Sequence, residues 1–127
     1  FDVKGFTTLI QRIKSDCADP IYYPVFDRSI EESIAAQGVV YPSTRVVIVE
    51  GNYLMHDKDG WQEISPLLDQ SWYAFLDEDI RISRLISRHI AFGKDPESAK
   101  AWAKGSDQVN AELIELGVGR CDFLIRS

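Results

Sequence analysis

A chain of 127 residues, 45% hydrophobic and 27% charged, has the size and composition of one globular domain and is neither disordered nor fibrous. Its formal charge of −6 argues against a general nucleic-acid binder, whose phosphate contacts need a basic surface, but leaves room for a local basic site that takes a small phosphorylated ligand. No apolar run approaches the roughly 20 residues that cross a bilayer and no secretory leader pattern occurs, so no membrane partner and a cytoplasmic location are expected.

Cys17 and Cys121 lie far apart, make no metal-ligand spacing and are expected as two reduced thiols. The chain begins at Phe1 rather than methionine and stops just past the apolar run Phe123-Leu124-Ile125. Those ends are the ones expected of a piece cut from a longer protein.

In chain order, residues 1–6 read as a loop. Phe6, Leu9, Ile10 and Ile13 then recur at helical spacing, and Pro20 blocks any continuation beyond residues 15–19. Residues 21–26 are aromatic and β-branched, hence strand-like, with Pro24 predicting an edge or a bulge. After a polar break at Asp27-Arg28-Ser29, residues 32–41 form a second extended segment, although Ala35-Ala36 would also suit a helical turn. Pro42-Ser43-Thr44 is a turn.

Arg45-Val46-Val47-Ile48-Val49 follows, four β-branched residues without polar alternation, the pattern of a short parallel strand buried on both faces. It stops on Glu50-Gly51. Ligands of open parallel sheets bind beyond the carboxyl ends of the strands, where a carboxylate can hold a metal or orient a hydroxyl; Glu50 is equally readable as the cap of the next turn.

Residues 56–60 are a turn-rich loop in which His56 reads as an exposed loop histidine. A short helix is expected over residues 60–68, with Trp61, Ile64, Leu67 and Leu68 inward, then a strand over 71–76. Asp77-Glu78-Asp79 would cap a helix over 80–92 whose core stripe is Ile82, Leu85, Ile86 and Ile90. Pro96 opens a further helix reaching Leu116, with Trp102 and Leu113 inward, and residues 123–125 make another strand. This alternation of strands and helices predicts a parallel sheet with crossovers.

Three constellations could carry chemistry. Arg81, Arg84 and Arg88 share one helical face with His89 at its edge, and arginine forks suit phosphate oxygens. The same arginines could instead pair with Asp77, Glu78 and Asp79 one turn upstream. Phe26-Asp27-Arg28 offers a hydroxyl acceptor and an anion donor beside aromatic walls, or else a plain surface ion pair. Asp107 and Asn110, within about one helical turn, could close over a ligand or serve as caps. There is no Gly-x-x-x-x-Gly-Lys-Ser/Thr loop, no Gly-x-Ser-x-Gly elbow, no zinc spacing and no dinucleotide fingerprint.

Taken together, Phe1-Asp2-Val3-x-Gly5-Phe6, Pro24-Val25-Phe26-Asp27-Arg28 with Glu31, and Val46-Val47-Ile48-Val49-Glu50-Gly51-Asn52-Tyr53-Leu54 carry a resemblance. It continues through Arg84-x-x-x-Arg88-His89-x-x-Phe92-Gly93-Lys94, Ala101-Trp102 and Ser106-Asp107-x-x-Asn110-Ala111. The whole chain resembles the C-terminal two-thirds of a P-loop kinase of the uridine kinase, phosphoribulokinase and pantothenate kinase group, in its fructokinase-like branch.

The resemblance implies an α/β parallel-sheet P-loop kinase fold, here one partial domain over residues 1–127, with an antiparallel substrate-side hairpin and a helical lid. It implies phosphoryl transfer from ATP, with Mg2+, to a hydroxyl of a nucleoside, sugar or pantothenate-like metabolite. Arg84 and Arg88 would be catalytic and Glu50 a metal ligand. Phe26, Asp27, Arg28, Tyr53, His89, Asp107 and Asn110 would face the acceptor, and Arg120 the nucleotide.

The family's phosphate-binding loop and its acid–base Asp have no counterpart in the 127 residues. Related sequences often read Thr-Arg-x-Arg-Ala-Asp where this chain has Gly117-Val118-Gly119-Arg120-Cys121-Asp122. The 127 residues alone are therefore expected not to turn over ATP and to leave a sheet edge unpaired. The alternative is a non-catalytic metabolite- or phosphate-binding module derived from such a kinase. The sequence does not fix an oligomeric state; small kinases of this type often pair, which leaves room for a homodimer.

Overall fold

The computed structural model describes residues 1–15 and 18–127; Cys17, one of the two expected thiols, lies outside the described residues. Helix α1, Val3–Lys14, begins earlier than the apolar spacing alone suggests, because the Asp2 side chain accepts the Gly5 N–H at 2.9 Å and so supplies an N-cap. Thr7 and Ile10 are its buried residues.

Strands β1, Ile21–Asp27, and β2, Glu32–Val40, form an antiparallel hairpin. The register breaks where expected: Tyr23 pairs with Gly38 and Val25 with Ile34, so Pro24, which has no N–H to give, stands opposite a three-residue bulge. Ala36 in that bulge takes φ 57°.

The β-branched run at residues 45–49 corrects the clearest sequence expectation. It is not a strand: Val46 is 75% exposed and Ile48 90%, and no backbone hydrogen bond joins residues 45–52 to any other described residue. Composition makes the segment fit for a sheet, but a strand needs a neighbour, and among the described residues none lies beside it.

The helix expected over residues 60–68 is two 3₁₀ turns, Trp61–Glu63 and Ser65–Leu67, since Pro66 removes a donor that a continuous α-helix would use. Ile64 between them is fully buried. Strand β3, Trp72–Phe75, pairs in parallel with β4, Phe123–Arg126, through a crossover of three helices, as the alternation predicts.

The crossover contains α2, Glu78–Ala91, α3, Pro96–Lys104, and α4, Ser106–Glu115. Helix α2 ends in a Schellman motif: Lys94 N–H reaches His89 O at 3.0 Å and Gly93 N–H reaches Ile90 O at 2.9 Å, with Gly93 at φ 92°. The single helix expected up to Leu116 breaks at Gly105, between α3 and α4.

Three residues assigned inward are substantially exposed: Ile90 at 43%, Trp102 at 51% and Leu113 at 38%. Trp102 instead carries Lys94 Nζ 4.0 Å above its ring. The fully enclosed apolar core of the described residues is small, formed by Ile10, Ile21, Ile64, Ala99 and Ala103. No helix among the described residues is long and apolar enough to cross a membrane.

Candidate functional site

Helix α4 is the meeting point. Asp107 and Asn110, three residues apart and so on one face, each hold a different element. The Asp107 carboxylate lies 2.7 Å from His89 Nε2 of α2, and Asn110 Oδ1 accepts the Tyr53 hydroxyl at 2.6 Å. Tyr53 packs in turn against Trp61, with ring centroids 5.6 Å apart, and against Phe1 at 5.9 Å. Four of the sequence-derived acceptor residues, Tyr53, His89, Asp107 and Asn110, thus form one connected set.

The arginine face divides into two kinds. Arg81 is engaged: its guanidinium donates to Gln108 of α4 and lies 3.9 Å from Glu78. Arg84 and Arg88 point from the same helix, are exposed, and have no carboxylate within ion-pairing distance among the described residues. Of the upstream acids, Glu78 thus stays with Arg81 and Asp77 pairs with Arg126. In a chain of net charge −6, two adjacent guanidinium groups without a counter-charge offer an attraction for a phosphate-bearing ligand.

Arg120 is structural in this arrangement. Its Nε and Nη2 donate to Met55 O at 2.8 and 2.6 Å, and Nη1 lies 3.5 Å from Asp57, which ties the loop after Tyr53 to the segment entering β4. Glu50 is exposed, and no cluster of three acidic, His or Cys side chains able to hold a metal occurs among the described residues.

At the hairpin tip, Asp27 accepts from Ser29 N–H at 2.8 Å and Ser29 Oγ at 2.6 Å. The Ser29 hydroxyl, aided by its N–H, holds the Asp27 carboxyl below the usual carboxylate range. Phe26 and Arg28 are exposed beside it. No hydrogen bond or ion pair among the described residues joins the hairpin tip or Glu50 to the α2–α4 set.

Two further positions tie the arrangement together. Gln108 bridges Arg81 to Glu112, at 3.3 Å from its Nε2, and to Glu78 at 3.2 Å; a lone glutamine has no motif to find it by. Asp122 takes both the backbone N–H and the hydroxyl of Ser71 at 2.7 Å and aligns the starts of β3 and β4. Those Ser71 donors hold its carboxyl low, the hydroxyl foremost.

The chain is similar to several known proteins. The ATP-dependent kinase-like protein notR' of Aspergillus versicolor is 34% identical over 119 residues, covering 90% of this chain and 69% of its own length. The crystal structure of a candidate fructose transport system kinase from Silicibacter sp. TM1040 superposes on 98% of this chain with a TM-score of 0.86 and 34% identity. The fold is shared as well by YFH7 of Saccharomyces cerevisiae, described as a candidate P-loop containing kinase with a circular permutation, at TM-score 0.73, 23% identity and 85% of this chain. The chain spans 60% of the Silicibacter protein and 36% of the yeast one. No protein-family model matches it.

Proposed function

The chain belongs to the family of ATP-dependent kinase-like proteins of the P-loop kind, and from that premise we propose that it is the acceptor-and-lid portion of a small-molecule kinase, moving the terminal phosphoryl group of ATP to a hydroxyl of a nucleoside, sugar or pantothenate-like metabolite. The observation that carries this reading is the pair Arg84 and Arg88, one turn apart on α2 and without protein counter-charge while Arg81 beside them is engaged. Phosphoryl transfer leaves a protein little covalent chemistry to do and rests on positioning and on charge stabilisation, which two such guanidinium groups supply.

The residues fit the cofactors to a limited degree. Magnesium in kinases takes one or two carboxylates plus phosphate and water, so a single exposed carboxylate at Glu50 suits that share of the coordination. When bound, magnesium would neutralise charge on the phosphate oxygens of ATP. Glu50 would hold it, and Arg84 and Arg88 would clamp the phosphate. Tyr53, His89, Asp107 and Asn110 would orient the acceptor hydroxyl, since their mutual hydrogen bonds fix the rotamers of every member. Phe26, Asp27 and Arg28 would wall the acceptor from the hairpin. Arg120, committed to Met55 and Asp57, would shape the nucleotide side through the loop it holds.

The test is magnesium-dependent ATP consumption by the full-length polypeptide containing this chain, screened against sugars, nucleosides and pantothenate. Acceptor-dependent turnover with one class is the expected result and names the substrate. Tight binding of one panel member without turnover would replace the kinase by a metabolite-binding module.

A further inference from the structure

Helix α2 carries more than its arginine pair. Arg84, Arg88 and Phe92 follow one another at i, i+4 and i+8, and the Phe92 N–H still donates to Arg88 O at 3.1 Å, so the helical spacing runs on through Phe92. All three are exposed, Phe92 at 85%. From Ile80 to Lys94 the chain has Arg81, Arg84, Arg88, His89 and Lys94 and no acid. One side of α2 thus joins two guanidinium groups without a carboxylate partner to an uncovered aromatic ring.

Phe92 differs in this from Trp102, the other aromatic at the same end of α2. Lys94 Nζ stands 4.0 Å above the Trp102 ring and the His89 ring meets it edge-on at 6.1 Å, whereas no ring pair or cation–ring contact among the described residues involves Phe92. A phenylalanine left in water forgoes the gain of burying its ring. Nothing in the local backbone calls for one there: Phe92 is the C-cap, and the turn that ends α2 is closed by the N–H groups of Gly93 and Lys94.

Charge sets the order along the stripe. The C-terminal end of a helix carries partial negative charge and repels phosphate, so phosphates belong on the side chains of Arg84 and Arg88, and an uncharged ring suits the end at Phe92. At 1.5 Å per residue, Phe92 lies about 6 Å along the axis from Arg88 and about 12 Å from Arg84. A nucleotide has that form, a flat base one ribose away from its phosphates.

We propose that Phe92 is a base-binding residue, stacking on the aromatic base of a nucleotide whose phosphates are held by Arg84 and Arg88. Every base has a flat face, so Phe92 adds affinity without choosing among bases. The inference rests on the reading of Arg84 and Arg88 as phosphate-binding groups, and adds the contact that separates a nucleotide from a bare phosphate.

Calorimetric titration of the full-length polypeptide with ADP, with the nucleoside monophosphate UMP and with inorganic pyrophosphate tests it. Phe92→Ala should weaken at least one of the two nucleotides by about 10-fold and leave pyrophosphate unchanged, and Phe92→Trp should restore the lost affinity. Loss confined to ADP would put the base of the phosphate donor on Phe92; loss confined to UMP, the base of a phosphorylated product. Wild-type affinity of Phe92→Ala for both nucleotides would overturn the proposal. So would an equal loss for nucleotides and pyrophosphate, the mark of a helix end that has merely shifted. Arg84→Ala and Arg88→Ala, titrated beside it, keep the two readings apart: unchanged pyrophosphate affinity in both would overturn phosphate binding by the arginine pair, whereas a loss there with Phe92→Ala unaffected would overturn the base contact alone.

Discussion

His89 Nε2 lies 2.7 Å from the Asp107 carboxylate, joining the last turn of α2 to the first turn of α4. Both side chains are largely shielded, at 16% and 28% exposure, so the contact is worth more than a surface pair. Helices α2, α3 and α4 pack in succession, and this pair closes the set. Its neighbour one turn on, Asn110 with Tyr53, fastens the loop after Glu50 to the same helix.

From this follows the first expectation. Asp107→Asn should lower stability by about 1 kcal/mol, the usual net worth of one partly shielded hydrogen bond, and Tyr53→Phe by a similar amount. Because the two contacts sit on one face of α4, the double variant should lose more or less than the sum. Denaturant unfolding of the four proteins measures that coupling, and strict additivity would show the contacts to be independent.

The arginines of α2 should separate by role. Arg84→Ala and Arg88→Ala should change stability by less than about 0.5 kcal/mol, as exposed and unpaired positions do. Arg81→Ala should cost more, since it leaves Gln108 without its donor. Binding of inorganic pyrophosphate should show the reverse order, falling for Arg84→Ala and Arg88→Ala and holding for Arg81→Ala. Calorimetry and thermal melting on the same three variants provide both readouts.

Acid should act through Asp122. Its carboxyl sits below the ordinary value of 3.8 in the folded chain, so the folded state favours the carboxylate. That contribution is complete above the unfolded value and disappears as the pH falls through the lower, folded one. Asp122→Asn should therefore destabilise the protein most at about pH 6, and the gap to wild type should narrow as the pH falls below the ordinary carboxylate range. A stability gap that stays constant as the pH falls would contradict the assignment.

Gly93 terminates α2 at φ 92° with nothing within 4 Å of where a Cβ would stand. Gly93→Ala should thus cost about 1 kcal/mol from backbone strain alone, with no packing change. A thermal melt of the variant tests it; an unchanged melting temperature would mean that the helix end rearranges at no cost.

Legibility followed the range of the interactions. The β1–β2 hairpin, its bulge at Pro24 and the Pro96 helix start are set by nearby residues, and the sequence marks them; the parallel β3–β4 pair, distant in the chain, was legible only through the alternation of strands and helices. Residues 45–49 read as a buried strand because β-branched composition reports fitness for a sheet and is silent about whether a neighbour stands beside it. The break at Gly105 was hidden because one glycine is tolerated within a helical pattern. Trp102 was placed inward on size, whereas Lys94 covers its face at the surface. At the site, spacing paired Asp107 with Asn110, His89 stood at the edge of the arginine face and Tyr53 came from the resemblance alone, but their union on α4 depends on a tertiary approach that no spacing encodes. Among the described residues no hydrogen bond or ion pair joins Glu50 or Asp27-Arg28 to that set, and the roles proposed for them rest on the resemblance to the family.

The most direct measurement is single-turnover phosphoryl transfer by the full-length polypeptide, with its best acceptor, for wild type, Arg84→Ala and Arg88→Ala. Loss of a charge-stabilising contact made in the transition state should slow the chemical step by about 100-fold or more in each variant while acceptor affinity holds. Transfer at the wild-type rate in both variants would contradict the account, leaving the exposed arginines of α2 as a solvated helix face.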